Sequence, residues 1–281
     1  MAFFELLEVP LSKDKTVKSV LFLFVASLLV MAGTANAALI NGGFETGDLT
    51  GWQIVGDASV QTSSFGSGPT QGAYQAVLTN DILAFHSVAF GGASDPNLVY
   101  PLSGSPAVNH INESLLGLPS GSLQAITVAP SSMELKISPI FQSAIIQTFP
   151  GVAGSQLSFN WNYLTSDGYN YDYSFVSLTS SNLLLLEKLA GNDPSALPPP
   201  LVASNTVFQN ETGFKMFSFI LPKTGTYTLG IGVTGVADEN FDSGLIIDDV
   251  KVASVPEPST ILLLGSALAM LAAWRWKQHT L

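Results

Sequence analysis

The chain has 281 residues, a net charge of −11 and no cysteine, and only 11% of its residues are charged. The lack of cysteine excludes a disulfide-stapled scaffold, thiol catalysis and thiolate metal sites. Residues 38–255 contain 17 acidic and five basic residues, a net charge of −12. Because nucleic-acid binding depends on lysine and arginine, this balance argues against nucleic acid as a partner and favours neutral glycans, divalent cations or water.

The N-terminal residues predict a signal peptide. Three lysines within the first 18 residues precede an apolar run over residues 20–32, and Ala35-Asn36-Ala37 supplies the small residues that signal peptidase requires. We therefore assign residues 1–37 to a signal peptide that signal peptidase removes.

The body of the chain, residues 38–254, predicts a single all-β domain. Turn residues recur about every ten positions, and the short segments between them alternate apolar with polar side chains. The clearest alternation covers residues 157–164 and 171–178, which we expect to pair as neighbouring antiparallel strands. Eight or more strands without helical partners indicate an antiparallel β-sandwich.

One stretch breaks this pattern. Residues 91–119 are rich in Gly, Pro, Asn and Ser, and we interpret them as an insertion over one end of the sandwich. A short helix is expected at 112–116, with Asn109 or Asn112 able to cap it.

The C-terminal residues predict a sorting signal. Pro256, Glu257 and Pro258 precede an apolar run over residues 261–273 and a cluster of Trp and basic residues at 274–277. As a helix, residues 261–274 would span about 21 Å, which is short against roughly 30 Å of bilayer hydrocarbon. The basic residues would remain on the cytoplasmic side, so the preceding domain should lie outside the inner membrane.

This three-part tail resembles the PEP-CTERM sorting signal that exosortases process in Gram-negative bacteria making exopolysaccharide. The resemblance implies export through the inner membrane, transient anchoring by residues 255–281 and delivery to the cell surface or extracellular matrix by an exosortase-type enzyme. The alternative is an ordinary C-terminal membrane anchor.

Acidic residues near the end of the domain indicate a candidate calcium site. The oxygen donors of Asp238, Asn240, Asp242 and Asp249 fall at the first, third, fifth and twelfth places of a calcium loop, as in an EF-hand. Helices do not flank these residues, and the last ligand is Asp where an EF-hand has Glu. The alternative, which these departures favour, is a solvated acidic turn.

A second resemblance concerns the domain itself. Residues 41–45 with Gly51-Trp52, together with the closing residues 245–250, resemble the first and last strands of jelly-roll, carbohydrate-binding-like domains. The resemblance implies a jelly-roll-like sandwich and a structural Ca²⁺ shared by Glu45 with Asp248 or Asp249. Since alternate residues of a strand face opposite sides, only one of the two aspartates can join Glu45.

The sequence offers little support for catalysis. Gly230, Gly232 and Gly235 match the spacing of a dinucleotide fingerprint, but an acidic turn follows them where a helix is needed, so we interpret them as glycines of an outer strand. The nucleophile elbow is absent from the sequence, and neither His86 nor His110 has an acidic partner at a telling spacing. We predict that the protein is not an enzyme.

Sugar binding would use exposed rings beside polar side chains. The best such group is Tyr169 with Asp167, Asn170 and Asp172, whereas Trp52 and Trp161 lie in alternating strands and are expected in the core. The predicted function is weak, non-catalytic binding of polysaccharide in the exopolysaccharide or biofilm system. The alternative is a structural surface protein or adhesin that contacts other proteins.

Overall fold

The computed structural model describes residues 39–81, 102–103, 105–126, 139–166, 172–191, 200–236, 242–253 and 266–267. Residues 1–36 and 37–281 form two separate units, and every described residue belongs to the second. Of the C-terminal segment, the described pair Ser266 and Ala267 is helical. None of the helices in these ranges has the length and hydropathy needed to cross a bilayer.

The described part of the chain contains twelve strands. In chain order they are β1 Gln53–Val55, β2 Asp57–Gln61, β3 Gln75–Thr79, β4 Pro139–Gly151, β5 Gln156–Thr165, β6 Tyr173–Ser180, β7 Leu183–Gly191, β8 Val202–Ala203, β9 Asn210–Glu211, β10 Lys215–Ile220, β11 Gly225–Val236 and β12 Ser243–Ala253. The helical elements are the 3-10 helices Ser63–Phe65 and Glu113–Leu116 and one α-helical turn, α1, Ser122–Ala125.

The strands form two antiparallel sheets, which confirms the predicted β-sandwich. Sheet A has the strand order β1-β4-β11-β6-β7. Sheet B has the order β2-β3-β12-β5-β9-β8, and β10 pairs with β5 beside β9. Apolar positions at period two turn one face of each sheet toward the other.

The main core lies between the sheets and is rich in aromatic side chains. Phe149 and Tyr227 stack with ring centroids 5.9 Å apart, and Phe159 stacks on Phe217 at 5.0 Å. Trp52 and Trp161 are only 7% and 6% exposed, so the prediction that both belong to the core is confirmed. Burying each such side chain contributes about 1.5–3 kcal/mol.

The sandwich has two distinct ends. At the first, which we call the loop end, β3, β5, β7 and β11 finish and β4, β6 and β12 begin. Thr234 pairs with Tyr173, and Ser243 pairs with Thr165 there. At the opposite end, which we call the tail end, β12 finishes at Ala253, just before the predicted sorting signal. Along the 11 residues of β12 the two ends are about 33 Å apart.

The insertion covers a face of the sandwich. Its described residues 105–126 pack Leu116, Leu118 and Leu123 on the outer face of sheet A, against Ala144 and Phe175 among others. The predicted helix is present as the 3-10 helix Glu113–Leu116, capped by the Asn112 side chain. The insertion was expected over one end of the sandwich, and for its described residues that prediction is wrong, because Leu116 and Leu118 are buried on the sheet face.

The glycines of β11 explain this packing. A Cβ at Gly230 would overlap the Leu116 side chain and lie 2.6 Å from Ser177 Oγ, so glycine here lets the insertion approach the sheet. The glycine run therefore belongs to a strand, as predicted. That strand is central and not outer, because β11 lies between β4 and β6.

The predicted pairing of the two most regular strands is wrong. β5 lies in sheet B and β6 in sheet A, so the seven-residue connection 166–172 crosses from one sheet to the other and does not close a hairpin. Both strands are almost fully buried. The regular alternation of apolar and polar residues predicted correctly that these strands are buried, but it does not predict which strand each one pairs with.

Candidate functional site

A buried carboxylate ties the two sheets together at the loop end. Asp172, directly before β6, is 2% exposed. Its Oδ1 accepts the N–H of Val236 at 2.7 Å, and its Oδ2 accepts the Asn80 side-chain amide at 3.0 Å and the Ser243 hydroxyl at 2.8 Å. One side chain therefore holds the residue directly after β3, the last residue of β11 and the first residue of β12.

Further hydrogen bonds extend this network into sheet B. Asn80 Oδ1 accepts the backbone N–H of Ser243 at 2.6 Å, and the Tyr163 hydroxyl donates to Ser243 Oγ at 3.0 Å. Sequence reasoning missed Asn80 and Ser243, because neither belongs to a recognisable motif. The one available signal was a polar residue at the end of each neighbouring strand.

The structure removes Asp172 from the predicted sugar-contact surface. Its carboxylate is buried and accepts three hydrogen bonds from the protein, so it serves the fold and is not available to a ligand. Asp167, Tyr169 and Asn170 lie outside the described residues. The two ends of their connection are described, and both Ser166 and Asp172 are buried.

Asp249 lies too far from Asp242 to complete the predicted EF-hand-like loop. β12 begins at Ser243, so Asp242 and Asp249 are seven residues apart along an extended strand, or about 23 Å. Calcium ligands must lie within about 2.3–2.6 Å of one ion, and these two cannot share it. Asp238 and Asn240 lie outside the described residues.

Glu45 and Asp248 do meet the same loop, which joins β2 to β3 at the tail end. The Glu45 carboxylate accepts the N–H of Ala73 at 3.0 Å and that of Tyr74 at 3.2 Å. Gly72 has φ 66°, and a Cβ there would overlap this carboxylate. Glycine at that position therefore allows the loop to wrap around Glu45.

Asp248 holds the preceding residues of the same loop. Its buried Oδ2 accepts the N–H and hydroxyl of Thr70, both at 2.7 Å, and the N–H of Gln71 at 2.8 Å. Burial raises the pKa of Asp248, although these hydrogen bonds act in the opposite direction. Residues 70–74 are therefore held by two carboxylates: Glu45, which precedes β1, and Asp248, which lies in β12.

Glu45 with Asp248 or Asp249 is the calcium site that the jelly-roll resemblance implies. Asp248, and not Asp249, is the last-strand aspartate on the loop that Glu45 holds; Asp249 has φ 54° and forms an ion pair with Lys251. Both loop-facing carboxylates accept N–H donors, and within the described ranges no three Asp, Glu or His residues gather to hold a metal ion. They do not form the six to eight oxygen ligands that Ca²⁺ takes, so calcium remains a prediction.

A cavity of about 410 Å³ lies between the insertion and β4. Gln142, 2% exposed, lines it and accepts the N–H of Ile111. Glu113 uses its carboxylate to accept the N–H groups of Gly121 and Leu123 at the start of α1. His110 is exposed and also lines the cavity. Glu113 thus serves the local fold rather than proton transfer.

Several solved structures are similar to this chain at low identity. TmCBM61 in complex with beta-1,4-galactotriose shares 14% identity over 79% of this chain and 100% of its own, with a TM-score of 0.40. The K1 cleaved adhesin domain of Lys-gingipain from Porphyromonas gingivalis W83 shares 11% identity over 79% and 99%, with a TM-score of 0.39. Caldicellulosiruptor saccharolyticus CBM27-1 in complex with mannohexaose shares 10% over 78% and 97%, with a TM-score of 0.38.

No curated protein matches the sequence significantly. The C-terminal segment, in contrast, matches a known family model. Residues 254–278 match the PEP-CTERM protein-sorting motif, which confirms the sorting signal predicted from Pro256, Glu257 and Pro258.

Proposed function

We propose that the protein is exported and binds neutral polysaccharide, without catalysis, through the loop end of its sandwich. The observation that carries the proposal is the rigid base of that end. Asp172 fastens the ends of three connections, 80–138, 166–172 and 237–242, to each other. Loops on a fixed base can present ring and amide groups to a ligand with little rearrangement.

The composition of the 166–172 connection supports a sugar ligand. Tyr169 offers a ring for stacking on a pyranose, and Asp167 and Asn170 offer hydrogen-bonding groups next to it. The net charge of −12 over residues 38–255 suits a neutral polymer better than an anionic one. The ligand would be polysaccharide of the matrix to which the sorting signal directs the protein.

The tail supports a processing step. The sorting motif implies export through the envelope of a Gram-negative bacterium and an exosortase-type enzyme that acts on residues 255–258. Pro256 and Pro258 keep the preceding backbone extended and accessible. Intact-mass measurement of the mature protein tests this step, and a chain that still ends at Leu281 would leave only a membrane anchor.

Binding is tested by retention of the protein in gels that contain individual polysaccharides, with Tyr169→Ala as the probe. We expect at least one neutral polysaccharide to retain the parent protein and Tyr169→Ala to lose most of that retention, since stacking on an aromatic residue contributes much of such binding. Ile220→Ala is the control, because Ile220 is exposed at the opposite end of the sandwich.

Each outcome decides between functions. Equal retention of the parent and Tyr169→Ala would discard the site. Retention by none of the polysaccharides would overturn the proposal in favour of a structural surface protein or adhesin. Release of reducing sugar would show an enzyme.

A further inference from the structure

β10 exposes apolar side chains at an unpaired edge. It pairs with β5 on one side and has no strand partner on the other within the described residues. Met216 is 69% exposed and Ile220 is 62% exposed, the two highest values among the large apolar side chains that the structure describes. Large exposed apolar side chains on a soluble domain often mark an interaction surface.

Basic residues lie at the start of β10 and just after its end, in an otherwise acidic domain. Residues 38–255 contain only five lysines, and Lys215 and Lys223 flank the two apolar side chains in sequence. No acidic residue occurs between positions 212 and 237. Lys215 and Lys223 are exposed, and neither forms an ion pair with a residue that the structure describes, whereas Lys251 nearby pairs with Asp249. We call Lys215, Met216, Ile220 and Lys223 the tail-end patch; it runs along β10 from Lys215, which pairs with Trp161 in the middle of β5, to Ile220, which pairs with Gln156 at the tail end.

This patch lies close to the point where the sorting signal leaves the domain. Gln156 of β5 pairs with Ile220 of β10 on one side and with Ala253 of β12 on the other. Two strand spacings put the Cα atoms of Ile220 and Ala253 about 10 Å apart. The seven residues 254–260 can span at most about 25 Å before the apolar run begins at Ile261.

We propose that the tail-end patch rests on the membrane surface, against anionic phospholipid headgroups, while the protein is anchored by its tail. The two apolar side chains would enter the boundary between headgroups and acyl chains, and the two unpaired lysines would face the lipid phosphates. The tail fixes the patch near the bilayer, so even a weak affinity acts at high effective concentration. The loop end lies about 13 Å beyond Lys215 along β5 and takes no part in this contact.

This inference rests on the sorting segment reaching the membrane, and not on polysaccharide binding. Because the chain has no cysteine, one introduced cysteine gives one labelled position. The experiment uses the full chain with Met216→Cys or Ile220→Cys, each carrying an environment-sensitive fluorophore, in vesicles of phosphatidylcholine with or without phosphatidylglycerol. Ile54→Cys is the control, because Ile54 is 47% exposed on β1 at the far edge of sheet A.

In vesicles with phosphatidylglycerol, we expect headgroup-attached nitroxide lipids to quench the labels at 216 and 220 at least twofold more than the label at 54. Lys215→Gln with Lys223→Gln should reduce that difference to the value in phosphatidylcholine alone. Vesicle flotation reports anchoring separately, so a chain that fails to float overturns the premise of anchoring.

Three results would overturn the proposal. In floated protein, equal quenching at all three positions would show that the patch does not contact lipid. Quenching unaffected by phosphatidylglycerol or by the lysine substitutions would remove the anionic headgroup as the partner. Protection of the labels that appears without vesicles and grows with protein concentration would assign the patch to a second copy of the chain.

Discussion

The two ends of the sandwich are built differently. At the tail end, β4–β5, β6–β7 and β10–β11 are joined by connections of two to four residues, as expected for a compact scaffold. At the loop end, the connections 80–138, 166–172, 192–201 and 237–242 are all longer. Apart from the 62–74 connection between β2 and β3, the longer connections between the described strands therefore gather at the loop end, and the sorting signal follows the tail end.

Carboxylates stabilise both ends, but in different ways. At the loop end, Asp172 accepts donors from both sheets and fixes the bases of three connections. At the tail end, Glu45 and Asp248 hold residues 70–74 of the long β2–β3 loop by their backbone N–H groups. We therefore expect loss of Asp172 to affect the whole sandwich and loss of a tail-end carboxylate to act locally.

The largest effect is expected from Asp172→Ala. The substitution leaves the Val236 N–H, the Asn80 amide and the Ser243 hydroxyl without their acceptor in a buried site, which should cost about 3–5 kcal/mol of unfolding free energy. Urea unfolding measures it. Asp48→Asn, at an exposed carboxylate, is the control and should stay within about 0.5 kcal/mol. Similar midpoints for the two variants would contradict the structural role of Asp172.

Gly230→Ala should have the next largest effect, about 1–3 kcal/mol. The added methyl group meets Leu116 and Ser177, so the insertion must move away from sheet A. Gly225→Ala on the same strand is the matched control, because nothing lies within 4 Å of its Cβ position at the tail end. If both variants unfold at the same urea concentration, the insertion does not pack on sheet A as described.

The stability difference between the parent protein and Asp248→Asn should depend on pH. The pKa of Asp248 is raised in the folded protein, so the native state binds more protons than the unfolded state between the ordinary value of 3.8 and the raised value. Its contribution is therefore greatest below pH 3.8 and declines as the pH rises through the raised pKa. At pH 7 the substitution should cost about 1–2 kcal/mol through lost hydrogen bonds to Thr70 and Gln71.

Urea unfolding of the parent and Asp248→Asn at several pH values checks this expectation. The difference in stability should be larger at pH 4 than at pH 7. A difference that shrinks as the pH falls would show that the carboxylate is stabilised as the charged form, and that burial does not dominate its pKa.

Calcium is expected to add least, because hydrogen bonds already hold loop 70–74. If Glu45 binds the ion, calcium at ten times its dissociation constant adds about 1.4 kcal/mol, and chelation lowers the melting temperature by about 3–6 °C in a domain of this size. Glu45→Gln should be insensitive to chelator. Identical melting curves of the parent protein with calcium and with chelator would contradict the prediction.

The sequence predicted the strands better than their partners. Strands such as β5 and β12 were recognised because apolar and polar positions alternate or run continuously through a buried segment. β7 was missed, because Leu183-Leu184-Leu185-Leu186 does not alternate although its strand is half-buried at the edge of sheet A. The partner of β5 depended on whether residues 166–172 turn back or cross between sheets, which no local pattern encodes.

The candidate sites show the same limit. The resemblance paired Glu45 with Asp248, and both carboxylates contact residues 70–74, but those N–H partners depend on tertiary packing. Asp172 was taken for a surface ligand because it lies among tyrosines and other polar residues. Its burial follows from the sheet-to-sheet crossing, and the sequence did not reveal that crossing.

The most direct test of a division between a ligand-binding loop end and a membrane-facing tail end is hydrogen exchange, measured peptide by peptide on the full chain. Polysaccharide retained by the protein should slow exchange in residues 166–172 and leave 215–223 unchanged, whereas vesicles containing phosphatidylglycerol should do the reverse. Protection of the same peptides by both additions, or protection of 215–223 by polysaccharide, would contradict the account.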